Sequence, residues 1–274
     1  MTKNALKNIL LTGIVAALCG CSVEKKSESA VEIPGYDVSV LSFDTTGHFF
    51  ADTNNPQFKF SYKLSVPNEG ISSCADSIRM AIIAEATGVR TNDIEAAKKA
   101  KLTELAVLSE EEVVAYREMF GSDEIPCDLE CEAGKVFENE DVYNTEFSSY
   151  SYMGGAHPYS YVNYQIWDKV MAKKLSYGDI FVDESESTLT GMILDSLCKM
   201  MKVSAHDHLV DAGILDVKDV SPNNSMRIYT DSLSFNYRPY EIAAYAVGPI
   251  EVRFSFSDLK PLMKEESPIY KLAE

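Results

Sequence analysis

The sequence is short of positive charge and lacks the motifs of the common enzyme classes. It has 25 lysine and arginine residues against 42 aspartate and glutamate residues, which gives a net charge of −17 at pH 7. Because a surface this acidic repels the phosphate backbone, we expect no nucleic-acid partner. The HExxH, GxSxG, P-loop and dinucleotide-binding patterns are missing. We therefore predict no catalytic residue, no bound metal and no cofactor.

Histidine is also rare, with four residues in the chain. His206 and His208 come closest to a metal-binding spacing, but the sequence indicates no third ligand, and we predict a solvated loop there. Aspartate and glutamate are so abundant that chance pairs are expected. The sequence alone therefore does not decide whether two carboxylates form a glycosidase-like pair.

Long apolar runs are missing after the first twenty residues. Ile9–Leu18 is an apolar run, preceded by two lysines, that is too short to cross a hydrocarbon core about 30 Å thick. The small residue Gly20 then precedes Cys21, as in the lipobox of exported bacterial lipoproteins. This pattern predicts a signal peptide over residues 1–20, a lipid on Cys21 and a cell-envelope location facing the periplasm. The alternative is an ordinary signal peptide with a chance cysteine near its end.

Residues 21–35 are polar and charged and end in Pro-Gly, which is typical of a flexible tether. Four further thiols follow, and in an oxidising compartment they could pair in three ways or remain as buried free thiols. On a straight strand Cys127 and Cys131 would lie about 13 Å apart, whereas a disulfide requires Cα atoms within about 7 Å. The four cysteines are Cys74, Cys127, Cys131 and Cys198.

The hydrophobic pattern changes its period along the chain. Gln57–Val66 alternates apolar and polar residues, which predicts a strand with one buried face. Ile71–Thr87 repeats apolar residues every three or four positions, which predicts a helix ended by Gly88. The other elements predicted for the first half are a strand over Tyr36–Thr45, a helix from Asn92 or Asp93, a helix from Ser109 to Gly121 and a hairpin around Ala133–Lys135.

The second half shows the same succession of strands, helix and strands. The predicted elements are strands over Tyr143–Met153 and Ser160–Trp167, a helix over Glu184–Lys202, strands over Met226–Thr230, Ser232–Tyr237 and Ile250–Phe256, and a short helix from Asp258. A hydrophobic fraction of 46% is enough for a packed core. We predict an α+β fold with antiparallel sheets packed against helices, in two tightly joined lobes. The lobes would comprise an N-terminal strand-helix lobe, 36–125, and a C-terminal α+β lobe, 126–274.

Two tyrosine-rich segments, Ser149–Tyr161 and Phe235–Pro249, stand out from the rest of the sequence. Tyrosine supplies flat amphipathic surface at low entropic cost, and the glycines allow tight turns between the rings. The candidate ligand-binding residues are Tyr152, His157, Tyr159, Tyr240, Glu241 and Tyr245. The alternative is that these tyrosines pack the hinge between two sheets, with their hydroxyls bonded to backbone.

These segments also carry a family resemblance. The chain contains YSYMGGAHPYSYVNYQIWD and, later, PYEIAAYAVGPIEVRFSFSDLKPLM. Their order resembles the extracellular region of the RsiV-like family, named for a lysozyme-binding anti-sigma factor. The likeness covers about Tyr36–Met263 and is most specific over Tyr152–Asp179 and Phe235–Leu262. The chain departs from the family at Pro158, where glycine is usual, and at Ala244, where proline is usual.

The resemblance implies a binding role for the GGAH turn and the tyrosine-rich loop. We therefore predict a non-catalytic envelope lipoprotein whose partner is a lysozyme-like protein or a peptidoglycan fragment, with membrane contact only through the N-terminal lipid. We find no anti-sigma segment and no deacetylase motif in the sequence, so we do not extend those activities to this chain. Two alternatives are a glycan-active hydrolase that uses surface carboxylates and a purely structural envelope component.

Overall fold

A computed structural model describes residues 35–49, 57–106, 111, 114–115, 118, 127–153 and 156–273. The predicted signal peptide, Cys21, nearly all of the predicted tether and most of the predicted helix 109–121 lie outside these residues. The described residues belong to one unit, Ile33–Glu274. No helix within the described ranges is long and apolar enough to cross a membrane.

Six strands form the larger sheet, in the order β1-β2-β3-β4-β5-β6. Neighbouring strands are antiparallel except for β2 and β3, which are parallel. The sheet therefore combines strands from both sides of residue 125, where we predicted a boundary between lobes. The strands are β1 Val38–His48, β2 Gln57–Pro67, β3 Asp128–Glu138, β4 Val142–Tyr152, β5 Tyr159–Asp168 and β6 Lys173–Leu175.

Two helices, α1 Ser73–Thr87 and α2 Ile94–Ala106, lie in the connection between the parallel strands. Helix α1 begins where the Ser72 side chain accepts a hydrogen bond from the Ala75 N–H, and it ends at Gly88, whose φ of 79° is left-handed. The Asp93 carboxylate accepts a hydrogen bond from the Ala96 N–H at 3.0 Å and caps α2. The predicted end of α1 at Gly88 and the predicted start of α2 at Asp93 are confirmed.

A second, three-stranded antiparallel sheet contains β7 Met226–Ile228, β8 Ser232–Tyr237 and β9 Ile250–Ser255. It packs with the helix Ser185–Met201, which buries Leu189, Ile193 and Leu197. Met200, near the C-terminal end of the same helix, is half exposed. We number this helix α4. It is preceded by α3 Tyr177–Ile180 and followed by α5 Phe256–Leu259, and this half of the chain also has several short 3₁₀ turns.

Strands β4 and β5 contribute to two hydrophobic cores, one on each face. Tyr143, Phe147 and Trp167 belong to the core that contains α1 and β2. Val142 and Ile166, which point the opposite way, belong to the core formed by α4 and the small sheet. Since side chains alternate along a strand, the same two strands join both lobes. The predicted α+β fold is confirmed.

The predicted hairpin around Ala133–Lys135 is wrong. These residues lie inside β3, where Gly134 pairs with Glu146 of β4. The chain turns instead after Glu138, where the Asn139 side chain accepts hydrogen bonds from the two backbone N–H groups that begin β4. Asparagine favours such turns because its side chain replaces a backbone acceptor. The prediction placed a turn at Gly134, but a glycine within a strand can instead mark an irregularity in the strand pairing. The pairing of β3 and β4 is irregular next to Gly134.

The two ends of the larger sheet carry different features. At one end Tyr36 N–H donates to Glu138 Oε1 at 2.8 Å, so the start of the described chain is fixed to the β3–β4 turn. We call this the tether end. The opposite end carries the β4–β5 turn, of which Met153 and residues 156–158 are described, and we call it the distal end. Strand β4 has 11 residues, which at 3.3 Å per residue separates the two ends by about 33 Å.

All four cysteines in the described part of the chain are free thiols. Cys74, Cys127 and Cys131 are buried, whereas Cys198 is partly exposed. Burial, helped by the nearby Asp128 carboxylate, raises the pKa of the Cys127 thiol to about 11. This thiol is therefore protonated and unreactive at neutral pH.

Candidate functional site

Three aromatic side chains meet at the distal end. His157, from the β4–β5 turn, stacks on Tyr245 with ring centroids 3.7 Å apart and ring planes 12° apart. The Tyr240 ring lies 5.6 Å from the Tyr245 ring, and its hydroxyl lies 3.3 Å from Nε2 of His157. We call these three residues the aromatic cluster. Two segments that the sequence singled out separately are thus in contact.

The aromatic loop, residues 238–249, is held in place by specific hydrogen bonds. The Tyr245 hydroxyl donates to the Pro158 carbonyl oxygen at 2.7 Å. The Glu241 carboxylate accepts from the Arg238 N–H and from the Asn223 side-chain amide, each at 2.8 Å. Glu241, predicted as a ligand contact, therefore also fixes the loop.

Tyr240 combines exposure with an unusual backbone conformation. Its φ is 69°, in the left-handed region that residues other than glycine rarely adopt. Its side chain is 52% exposed, which is uncommon for a ring of this size. Such a conformation costs about 1–3 kcal/mol and persists only where the surroundings impose it. The loop therefore displays this ring to solvent.

The other two predicted tyrosines lie on β4 and β5 at the distal end. Tyr159 begins β5, and its ring is 6.0 Å from that of Tyr161. Tyr152 ends β4 opposite Asp128 of β3. The Arg238 guanidinium lies 4.1 Å over the Tyr161 ring. Burial raises the pKa of Tyr161, and the Glu85 carboxylate adds to this effect. Arg238 was not among the predicted ligand-binding residues, although a cation among tyrosines is a signal for stacking.

An open groove of about 690 Å³ borders the aromatic cluster. One wall comes from the aromatic loop and includes Pro239, Tyr245 and Pro249. The other is formed by strands β1–β5, whose register places four charged side chains on the sheet face opposite α1. These are Asp44, Lys63, Glu130 and Glu132. Three carboxylates and one ammonium line this wall. Lys59 pairs with the Glu130 carboxylate at 3.3 Å, so the wall keeps a small excess of negative charge.

A second cleft of about 630 Å³ runs along β5. It is lined in part by Tyr159, Asn224, Arg238, Tyr240 and Glu241. Tyr245 therefore borders the acidic groove and Tyr240 borders this cleft. The aromatic cluster stands between two concave surfaces, a position suited to recognition.

The residues that we considered as metal ligands lie elsewhere. His206 and His208 occupy a short surface 3₁₀ helix, and Nε2 of His206 is 2.8 Å from Asp195 Oδ1. Within the described ranges, no group of three histidine, cysteine or acidic side chains is placed to hold a metal ion.

A family model matches the C-terminal part of the chain. Residues 178–257 match the family model DUF3298, described as a protein of unknown function. This segment contains the aromatic loop, so two members of the aromatic cluster lie inside the DUF3298 match. His157 lies before it. No curated protein is similar to the chain at a significant level.

Two solved structures of DUF3298 proteins resemble the fold. A protein from Bacteroides fragilis has a TM-score of 0.75 at 20% identity, and the alignment covers 87% of this chain and 97% of that one. A protein from Pseudomonas aeruginosa has a TM-score of 0.56 at 13% identity, with coverage of 84% and 95%. The architecture thus recurs in distant sequences, although the family model matches less than a third of this chain.

Proposed function

We propose that this chain is a non-catalytic lipoprotein of the cell envelope that binds a cationic, lysozyme-like protein through the aromatic cluster. The observation that carries the proposal is the exposed Tyr240 ring, held by His157 and Tyr245 at the distal end. Rigid tyrosines of this kind dominate the energetics of many protein interfaces. The resemblance to the RsiV-like family supports a lysozyme-like partner.

The charge of the surroundings supports a cationic partner. The groove beside the aromatic cluster has an excess of carboxylates, and the whole chain carries a net charge of −17. Complementary charge increases the association rate, and salt weakens it by screening. A basic protein would therefore approach this end of the molecule faster at low ionic strength.

Replacing Tyr240 with alanine should weaken lysozyme binding at least tenfold, since the exposed ring would be the central contact. Biolayer interferometry with immobilised protein and soluble lysozyme measures this change. The double replacement of Tyr240 and Tyr245 should abolish the signal. Tyr270→Ala, which removes a partly buried tyrosine of the C-terminal segment, is the matched control. Unchanged affinity in the Tyr240 variant, with an unchanged near-ultraviolet spectrum, would contradict the proposal.

A cell-wall glycan is the second candidate ligand. The cleft along β5 places the rings of Tyr159 and Tyr240 near the Asn224 amide and the Arg238 guanidinium. Aromatic faces beside planar hydrogen-bonding groups suit a sugar ring. Retention of muropeptides by the wild type but not by the Tyr240 variant would favour this ligand. Release of new fragments from peptidoglycan would instead show a hydrolase and refute the non-catalytic part of the proposal.

Lipidation of Cys21 gives a separate prediction. The change Cys21→Ser should move the protein from the membrane fraction to the aqueous fraction, because the acyl chains would be its principal attachment. Cys19→Ser is the control, since Leu18 precedes that residue and the lipobox rule does not select it. Immunoblots of fractionated cells measure the distribution. A Cys21→Ser protein that stays in the membrane fraction would contradict the lipobox assignment.

A further inference from the structure

The tether end carries two apolar side chains that face solvent. Val170 and Met171, in the turn between β5 and β6, are 76% and 72% exposed. Ile71, 44% exposed, belongs to the same end, because the following Ser72 hydroxyl donates to the Tyr36 hydroxyl. The Tyr36 ring in turn lies under the Lys169 ammonium. We call Val170 and Met171 the apolar tip.

The apolar tip is preformed by polar contacts. The Asp168 carboxylate accepts hydrogen bonds from the Val170 and Met171 N–H groups, each at 2.8 Å. Lys169 donates its backbone N–H to the Asp141 carbonyl and its ammonium to Glu138. These contacts fix the turn without any packing of the two apolar side chains. Exposed apolar groups on a rigid support indicate a contact surface.

The position of the chain start favours the membrane as the partner of this surface. Gly35 and Tyr36 lie at the tether end, and the tether would span residues 21–35. Fully extended, such a segment reaches at most about 50 Å. This step rests on the lipidation of Cys21, which belongs to the proposed function. A lipid at Cys21 keeps the membrane surface within reach, so even a weak second contact would be occupied.

We propose that the apolar tip inserts into the interfacial layer of the lipid bilayer and seats the tether end on the membrane. The exposed Lys174 next to it can contact lipid phosphates. Membrane contact would then involve the folded domain as well as the acyl chains. Because the aromatic cluster lies at the opposite end of β4, this orientation presents it away from the bilayer.

Oxidation of methionine tests the contact without any substitution. Lipidated full-length protein in vesicles of phosphatidylethanolamine and phosphatidylglycerol is treated with chloramine-T, and sulfoxide is measured by mass spectrometry. Relative to the same protein in detergent, we expect Met171 to react at least about fivefold more slowly. Met200 is the internal control, since it is 50% exposed on α4, and its rate should change by less than about twofold.

Two matched substitutions give a second measurement. Val170→Asp should restore Met171 oxidation in vesicles to within about twofold of the detergent rate, because a carboxylate opposes insertion. Val210→Asp is the control, since Val210 is also 50% exposed. Val210 is close in sequence to Leu215, whose backbone N–H donates to the Ile242 carbonyl oxygen of the aromatic loop. It therefore belongs to the part of the fold next to that loop and not to the tether end. This variant should leave the protection of Met171 intact.

Three outcomes would overturn the inference. Equal oxidation of Met171 in vesicles and detergent, with the protein still vesicle-bound, would refute the tip contact while the lipid anchor stands. Protection of Met171 in the Cys21→Ser protein without vesicles, rising with protein concentration, would assign the tip to self-association. An unacylated N-terminus would remove both the anchor and this inference, whereas lysozyme binding through Tyr240 would be unaffected.

Discussion

Replacing Glu138 with glutamine is expected to lower the free energy of unfolding by about 3 kcal/mol. Glu138 is buried, with a side chain that is 3% exposed. Its carboxylate accepts from the Tyr36 N–H and from the Lys135 and Lys169 ammonium groups, each at 2.8 Å. Glutamine has a similar shape but no charge. It would therefore leave Lys169, only 11% exposed, without a counter-ion.

Urea denaturation followed by circular dichroism measures this difference. The control is Glu140→Gln, which neutralises an exposed glutamate in the neighbouring turn and should change stability by less than about 0.5 kcal/mol. Lys135 is 37% exposed, so solvent screening reduces its share of the effect. A loss below about 1 kcal/mol in the Glu138 variant would show that the network does not fix the chain start.

Local patterns in the sequence predicted most of the elements. Gln57–Val66 and Ile71–Thr87 match β2 and α1 within two residues at each end, because alternation and helical spacing depend only on neighbouring positions. The helix caps Gly88 and Asp93 were found for the same reason. The short β6 was missed, since three residues are too few to show a period.

Pairings between distant segments could not be predicted in this way. The parallel pairing of β2 with β3 joins residues on either side of the predicted lobe boundary. Nothing in the local pattern of either strand encodes its partner. The same limit explains the wrong hairpin at Ala133–Lys135, because a glycine can mark either a turn or a strand irregularity. The two cores are not separated at that boundary. They lie on opposite faces of β4 and β5.

In the candidate site, composition predicted which segments are involved but not how their side chains are arranged. Tyrosine-rich composition identified both segments, but the stacking of His157 on Tyr245 and the left-handed backbone of Tyr240 depend on tertiary structure. Glu241 was chosen for its charge, and its two hydrogen bonds to the loop appear only in the structure.

The second large effect is expected from Asn144→Ala, which should lower the free energy of unfolding by about 3 kcal/mol. The Asn144 side chain is fully buried between the two sheets. Its amide donates to the Gln165 and Met226 carbonyls at 3.0 and 3.2 Å, and its oxygen accepts from the Ile228 N–H at 2.8 Å. It therefore covers the edge of β7 that does not pair with β8. Without it, a buried donor and a buried acceptor lose their partner.

Hydrogen exchange locates this effect in the molecule. In Asn144→Ala, the Ile228 amide should exchange faster, whereas amides of α1 should change little below the unfolding transition. Asn163→Ala is the control. It removes one bond from a half-exposed asparagine to Glu85, and we expect a loss of about 0.5 kcal/mol. Equal stability of the two variants would show that the amide of Asn144 does not join the sheets.

The junction at Asn144 also bears on the proposed binding of lysozyme. His157 is carried by the larger sheet, whereas Tyr240 and Tyr245 are carried by the loop between β8 and β9. The aromatic cluster therefore exists only while the two lobes keep their relative position, which Asn144 fixes together with the bond from the Tyr164 N–H to the Ser225 hydroxyl. Asn144→Ala should consequently weaken lysozyme binding although the residue lies eight positions before Tyr152 in β4. Glu138→Gln, which disturbs only the tether end, should leave binding unchanged in the folded protein, so the two variants separate loss of the site from loss of stability.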